Sequence, residues 1–451
     1  MSSKSAPEEI GESKNRLKIA IVGAGIVGAT AAIALSDLPN VSVTVFESSP
    51  GPQETGAWIS LSLMVLDRLI NLEEVQRILY RGDHEGTYIT RHWRTGQIIA
   101  TAPSSAHVLD KFKQARTHRV PLHNVLLSNI PEGTIRFNHK VLDHHVTEAG
   151  VQLTFRDRPS EAFDLVVAAD GLYSKFRRRY TSDKVQYKGA VAYRKVFPES
   201  QVAHIKSLHN DSSSWRKDGE VMFLSRLGLE QYGVVAIIRE TPEVAAKLHW
   251  AKNTGAEGLQ RLQRHFATWD PMIGQVLQTM TDIDAYPLDS APWLEQLVRH
   301  DRIAFIGDAA HPTAGAFGVG AALGQGDSWA LYRSLQQSYT GDDRNLTLPI
   351  GSQTALEKHY NLRRALELYN ETRRHFLGRV WRQQGLDSVD AAYIAQAAND
   401  EAEWIRRFQD RHKNQLWMTE YDVEAAFVET LASEAHWSKE VDGEDSVTAR
   451  L

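Results

Sequence analysis

The sequence predicts an α/β protein: a discontinuous Rossmann-like dinucleotide-binding domain, an inserted and largely antiparallel β-sheet domain, and a C-terminal helical region. Three observations carry this. A strand–turn–helix–strand unit runs from Leu17 to Ser49, with Gly23, Gly25 and Gly28 at the G-x-G-x-x-G spacing. Two later buried runs, 165–169 and 303–306, lead into Asp170-Gly171 and Gly307-Asp308. Between about 185 and 290 the pattern changes to alternating strands.

In the first unit, Leu17, Ile19, Ala20, Ile21 and Val22 form the short apolar run of a strand buried on both faces. The first glycine permits a tight turn, the second lets a pyrophosphate approach the backbone, and the third lets the helix pack on the strand. The helix N-terminus offers unpaired N–H groups and partial positive charge to phosphates. Val41 to Phe46 reads as the second strand. Glu47, at its end, is placed to accept hydrogen bonds from ribose hydroxyls, which argues for FAD or NAD over NADP. A bare G-x-G-x-x-G fits any glycine-tolerant turn. Here strand, helix, second strand and terminal acid fall within about thirty residues, as dinucleotide binding requires.

Composition narrows the class. Of 451 residues, 42% are hydrophobic and 24% charged, as in soluble globular proteins. A formal net charge of −5 provides no global attraction to nucleic acid or anionic membrane. No apolar run approaches a membrane span, and the polar N-terminal stretch lacks the apolar core of a signal peptide. With no cysteine, disulfides, thiolate metal sites and a cysteinyl-linked flavin are excluded. His144-His145 and the pair His118 and His123 lack partner acids at ligand spacing, so no metal is expected. The expectation is a cytoplasmic enzyme; oligomeric state is left open.

Taken in order, residues 1–16 read as a disordered tail and 17–184 as the first part of the nucleotide-binding domain. Within it, a loop after Glu47 passes into an apolar helix with Leu63, Leu66, Leu69 and Ile70 at helical spacing. A β-hairpin at 86–101 turns at Thr95-Gly96, and a loop from Arg116 enters a helix with Pro121 in its first turn. Strands follow near 134–138, 140–147 and 151–155. After Asp170-Gly171 a basic helix is expected, with Lys175, Arg177, Arg178 and Arg179 on a solvated face. The middle sheet, 185–290, contains AVAYRKVF, EVMFLSR, YGVVAII and one amphipathic helix. The nucleotide-binding domain resumes over 291–350 with strand, Gly-Asp pair, glycine-rich turn and helix. Residues 351–435 read as helices, with Leu362, Leu366, Tyr369 and Phe376 on one stripe. A polar tail closes the chain at 436–451.

Ligands of an open parallel sheet lie beyond the carboxyl ends of its strands. The glycine turn, Glu47, Asp170-Gly171 and Gly307-Asp308 all fall at such ends. Gly307 has the backbone freedom, and Asp308 the acceptor, to suit a ribityl or ribose hydroxyl. An NAD-only dehydrogenase has no need of two later strand ends converging on one ligand, which favours FAD.

The three motifs, in this order and spacing, resemble those of single-component FAD-dependent aromatic monooxygenases, the salicylate hydroxylase-like group with fungal secondary-metabolism members. GAGIVG with Glu47 resembles the family's ADP-binding fingerprint. AADGLYSKFR resembles its D-G motif, which implies that Asp170 and Gly171 lie near FAD and the reduced nicotinamide, with Arg177 near the cofactor cleft. GDAAHP resembles its G-D motif, which implies that Asp308 holds the ribityl chain and Pro312 lines the flavin. Arg119 matches an arginine that contacts FAD, and Ala57 lies in the match to the G-A loop. Gly320 and Ala321 match residues that meet the isoalloxazine. AYRKVF resembles the Y-R-G strand and LWMTEYDVEAA the W-x-x-x-Y-D segment, so the similarity covers about 17–430. The chain departs from the pattern at TAGAFGVGAALGQG, which lacks the usual Pro and Gln-Gly-Ala-Asn-Gln, and at Phe223-Leu224, where Tyr-Pro is common.

The resemblance implies non-covalent FAD, NADH or NADPH as co-substrate, O2, and a small phenolic or aromatic acid substrate hydroxylated through a flavin hydroperoxide. Alternatives within the same chemistry are a dearomatising hydroxylase or indole epoxidase, or an oxidase without oxygen transfer. Arg194 matches an arginine that in some fungal members works with a tyrosine to hold a phenolate. Tyr232 is the candidate tyrosine, although it does not align with that partner's position.

Overall fold

A computed structural model describes residues 16–52, 58–81, 88–101, 109, 112–182, 184–206, 208, 212–248, 253–315, 318–341, 356–357, 359–411 and 416–434. The two expected tails and Ala57 lie outside these residues. Elements are numbered in chain order.

The first sheet has six strands. Its centre is β1 (Leu17–Val22), which pairs in parallel with β2 (Val41–Phe46) on one side and β11 (Leu165–Ala168) on the other. Beyond β11 lies β18 (Ile303–Phe305), also parallel, then the short antiparallel β17 (Val298–Arg299); β7 (Ile135–Arg136) borders β2. Both faces of β11 and β18 are buried, which is why they read as unbroken apolar runs. Two helices, α1 (Ile26–Ser36) and α8 (Gly320–Gln337), pack on each other, and α8 in turn packs on the 34-residue α9 (Leu362–Ala395). Leu362, Leu366, Tyr369 and Phe376 all point into this core. Thus the three motif-bearing strands share one sheet.

The second sheet has seven strands: β12 (Gln186–Pro198), β13 (Ser213–Lys217), β14 (Glu220–Leu227), β15 (Gln231–Arg239), β16 (Asp284–Ser290) and a hairpin of β4 (Ile89–His92) and β5 (Ile98–Thr101). The hairpin, expected inside the first nucleotide-binding segment, instead pairs in parallel with β13. Period-two alternation gives this sheet two different faces. Val191, Tyr193 and Phe197 of β12, with Tyr232, Val234 and Ala236 of β15, meet α6 (Gly255–His265) and α7 (Pro271–Gln278) in a second core. With α5 (Pro242–Leu248), the segment contains three α-helices among its described residues where one was expected. Asp270 caps α7 through the Met272 N–H, with Pro271 in the first turn.

Two further expectations change. Trp58–Ser62 is a strand, β3, paired antiparallel with β6 (Gln114–His118), so helix follows only as the short α2 (Leu66–Leu69) and α3 (Leu72–Gln76), and Arg116–His118 is strand. WISLS alternates with period two, and this short-range pattern outweighs the helical spacing downstream. After Asp170, the basic helix is only a single 3₁₀ turn at Arg177–Arg179. A three-stranded sheet of β8 (Val141–Thr147), β9 (Gly150–Phe155) and β10 (Glu161–Phe163) flanks it. Among the described residues no helix is long and apolar enough to cross a membrane.

His144 on β8 anchors that turn. Its ring stacks on Phe176 at 4.3 Å and 6°, and Nε2 lies 3.0 Å from the Tyr180 hydroxyl. Burial pulls its pKa from 6.5 to about 4, with nearby Asp143 opposing. As pH falls, the unfolded chain therefore takes up this proton before the folded one does. The stabilisation is complete above about pH 6.5 and is lost between there and about pH 4, a range worth on the order of 3 kcal/mol. Thermal unfolding followed across that interval should show a falling midpoint, and His144→Gln should flatten the slope; an equal slope in the variant would place the sensitivity elsewhere.

Candidate active site

The glycine turn after β1 is built by close approach. Gly23 has φ +103, and a Cβ there would lie 2.5 Å from the Ala169 carbonyl oxygen. A Cβ at Gly28 would overlap the Gly23 carbonyl. Gly25 differs: it is the N-cap of α1 at φ −67, and a Cβ there meets nothing within 4 Å. The space before the helix N-terminus is therefore open, as a pyrophosphate would need. Glu47 braces the turn, accepting from the Ala24 N–H at 2.9 Å and the Ser49 N–H at 2.8 Å. Burial opposes its ionisation, but these N–H groups and the Ser48 and Ser49 hydroxyls hold the carboxyl below its ordinary range. On the second turn of α4 (Arg119–Ser128), His123 Nε2 lies 2.6 Å from the Ala24 carbonyl.

The G-D turn is held by a residue that sequence reasoning missed. Asp327 on α8 is fully buried. It accepts from the Gly307 N–H at 2.9 Å, from His311 Nε2 at 2.6 Å and from Arg373 Nε at 2.8 Å. Burial would raise its pKa, but His311, the Arg373 guanidinium and these donors bring it down to about 2. Gly307 takes φ +60, and its neighbour Asp308 turns outward, solvent-accessible between the buried Gly307 and Ala309. Pro312 is buried, and its carbonyl accepts from Trp293 Nε1 at 3.0 Å and the Ser290 hydroxyl at 3.3 Å, which ties the turn to the end of β16. Gly320 opens α8, where a Cβ would lie 3.8 Å from Asp308 Oδ1, with Ala321 next to it and half-buried.

Asp170 and Gly171 sit at the end of β11, between the glycine turn and Asp308. Gly171 takes φ +73, and Asp170 accepts from the Lys175 N–H at 2.8 Å. Burial raises the carboxyl pKa of Asp170. Arg177, expected on a solvated face, is 2% exposed. Its guanidinium donates to the Asp308 carbonyl at 3.0 Å and to the Leu172 carbonyl, joining the two motifs.

The opposite wall of the cleft is the second sheet. Arg194 on β12 places its guanidinium carbon 4.8 Å from the centre of the Tyr286 ring on β16. Arg119, the first residue of α4, interacts electrostatically with Asp308, Tyr286 and Arg194. Burial lowers the pKa of both guanidiniums and raises that of Tyr286, with Asp284 adding to the latter and the two arginines opposing it. The cleft thus gathers two half-buried cations around one buried phenol. Tyr232 is not among these groups. It is 2% exposed in the helix-covered core and pairs with Phe197, whereas Arg194 pairs with Val235. Odd and even positions of a strand project to opposite faces, so Tyr232 and Arg194 lie on different sides of the sheet. Tyr286, opposite Ala192, is the tyrosine on the Arg194 face.

The chain is similar to known proteins over most of its length. The family described as "FAD binding domain" matches residues 16–349. The 6-hydroxynicotinate 3-monooxygenase of Bordetella bronchiseptica is 26% identical over 331 residues, covering 71% of this chain and 83% of that protein. A salicylate hydroxylase of Pseudomonas putida is 26% identical over 378 residues, covering 79% and 84%. Among solved structures, a salicylate hydroxylase substrate complex superposes with a TM-score of 0.69 at 22% identity, covering 93% and 98%. Klebsiella pneumoniae HpxO complexed with FAD and uric acid also gives 0.69, at 18% identity, covering 92% and 95%. These structures show the same fold.

Two substitutions separate fold from ligand. Gly25→Ala should leave the fold intact while weakening FAD binding about tenfold or more, ~1.4 kcal/mol, because the added methyl occupies the open space. Flavin fluorescence titration of the apoprotein measures this, and wild-type affinity in Gly25→Ala would place the pyrophosphate elsewhere. Asp327→Asn leaves the Arg373 charge buried without its counter-ion and should cost about 3–5 kcal/mol, read as a lowered unfolding midpoint together with loss of bound flavin colour.

Proposed function

The chain belongs to the FAD binding domain family, and from that premise we propose that it is an FAD-dependent monooxygenase using NADH or NADPH and O2 to hydroxylate a phenolic or aromatic acid. The observation that carries the substrate class is the cleft wall: Arg194 on Tyr286, with Arg119 beside them, across from Asp308. Two guanidiniums half-withdrawn from water favour an anionic ligand more than fully exposed ones would. Relatives named for 6-hydroxynicotinate, 3-amino-4-hydroxybenzoate and salicylate support the same class.

In this reading Gly23, Gly25, Gly28 and Glu47 hold the ADP half of FAD, and Asp308 accepts from the ribityl chain. Arg119, Asp170, Gly171, Pro312, Gly320 and Ala321 border the remainder; Ala57, the residue before β3 in sequence, is assigned to FAD by the motif match alone. FAD, when bound, supplies the redox chemistry and the activation of O2. The chain's own groups bind and orient. Arg194 stabilises the negative charge of a phenolate, which makes the ring electron-rich at the adjacent carbon. Tyr286, its pKa raised by burial, keeps its proton and can donate it in a hydrogen bond to the same oxygen. Both guanidiniums are half-buried, so their charges act in a dielectric below that of bulk water.

The test is turnover. Purified protein should be yellow, should oxidise NADH or NADPH faster with a phenolic acid present, and should yield a product heavier by one oxygen atom. Arg194→Ala should lower kcat/KM about a hundredfold while retaining FAD, and Tyr232→Phe should leave turnover near wild type. Hydrogen peroxide equal to the nicotinamide consumed, with no oxygenated product from any aromatic tried, would make the protein an oxidase instead.

A further inference from the structure

Trp58 opens β3, and its indole lies against the second sheet. A Cβ on Gly233 of β15 would be 2.5 Å from Trp58 Cδ1 and 3.1 Å from Nε1, so the ring rests on bare strand backbone. Gly233 pairs with Val196, two residues along from the pairing of Val235 with Arg194. It therefore projects to the same face as Arg194, the face opposite the helix-covered core. Phe223, paired with Val235, lies on that face as well. On its other edge Trp58 pairs with His118, the residue before Arg119. The sheet register thus sets the indole at the border of the space where Arg194, Tyr286 and Arg119 meet.

The indole N–H is the second observation. Trp58 Nε1 is shielded from solvent, yet it has no hydrogen-bond partner among the described residues. Buried indole N–H groups ordinarily find an acceptor, and one that the protein leaves without is met by an ordered water or by a ligand. A side chain that only filled space over Gly233 would need no donor there; Phe would serve.

Resting on the reading of this cleft as an aromatic-acid hydroxylase site, we propose that Trp58 is a specificity-determining residue that donates to a second acceptor on the substrate ring. The ligand class is then a planar aromatic with two polar points. An anionic group meets Arg194, and a separate oxygen or ring nitrogen receives the Trp58 N–H. Gly233 is the complement of this arrangement, since any side chain there would displace the indole.

The experiment compares benzoate, which has the anion alone, with the three hydroxybenzoate isomers on the FAD-loaded enzyme, followed by perturbation of the flavin absorbance. Wild type should bind at least one hydroxybenzoate more tightly than benzoate. Trp58→Phe should retain FAD and benzoate affinity but lose that preference, by about tenfold. Gly233→Ala, which pushes the indole aside without removing it, should show the same loss and serves as the readout if Trp58→Phe does not fold. A preference kept in either folded variant overturns the proposal, and so does loss of FAD from Trp58→Phe, which would assign the indole to the cofactor. If neither benzoate nor any hydroxybenzoate perturbs the wild-type flavin, the aromatic-acid reading of the cleft itself is overturned.

Discussion

One buried carboxylate fixes the relation between the helices and the G-D turn. Asp327 has no access to solvent, and a charge so placed is tolerated only when donors surround it. Its three donors come from two parts of the chain: the Gly307 amide and the His311 ring in the G-D turn, and the Arg373 guanidinium on α9. A buried ion pair is a poor source of net stability, because desolvation offsets most of the attraction. Its contribution here is geometric. Holding the Gly307 N–H inward forces the chain through a left-handed residue and delivers Asp308 to the cleft side. The glycines beside Asp327 follow from the same packing. A Cβ at Gly324 would overlap Val27 of α1, and one at Gly326 would crowd the Arg373 guanidinium. The GQGD run of α8 is therefore a contact surface with α1 and α9, and its glycine content reflects close helix approach more than flexibility.

The second sheet shows how alternation sorts chemistry from packing. Tyr193 and Arg194 are neighbours in sequence but belong to different environments. Tyr193 donates to Glu240 beneath the helices, and Arg194 lies over Tyr286 in the cleft. A shift of register by one residue would bury the guanidinium among Ile273, Val276 and Leu262 and present the phenol in its place. The continuous ladder from Ala190 to Pro198 against β15 prevents that shift.

What the sequence made legible was what is local. The glycine spacing, the acid at the end of β2 and the Asp-Gly and Gly-Asp pairs each lie within one strand-and-turn segment, so spacing alone conveys their geometry. The stripe on α9 is legible for the same reason. Less legible were features that depend on contacts distant in sequence. Tyr286 meets Arg194 only through the β12–β16 register, which no local pattern encodes. Tyr232 was attractive because it is an aromatic on a nearby strand, but the parity that buries it appears only once Phe197 is known to lie opposite. For Asp327 a faint signal existed, a single acid inside an otherwise apolar and glycine-rich helix face.

Arg177 shows why a run of like charges is a weak guide to a surface. Lys175, Arg178 and Arg179 point outward, and Arg179 pairs with Asp143 at the rim. Arg177 turns inward because a 3₁₀ turn, with three residues per turn, puts its neighbours on other sides. Once inside, a guanidinium needs acceptors, and carbonyls from two separate strand ends supply them. The consequence is mechanical. Displacement of the loop after β11 would strip the Asp308 carbonyl of its donor, and displacement of the G-D turn would leave the guanidinium short of an acceptor. The two motifs are thereby constrained to move together, so a ligand spanning both meets one rigid edge and not two independent loops.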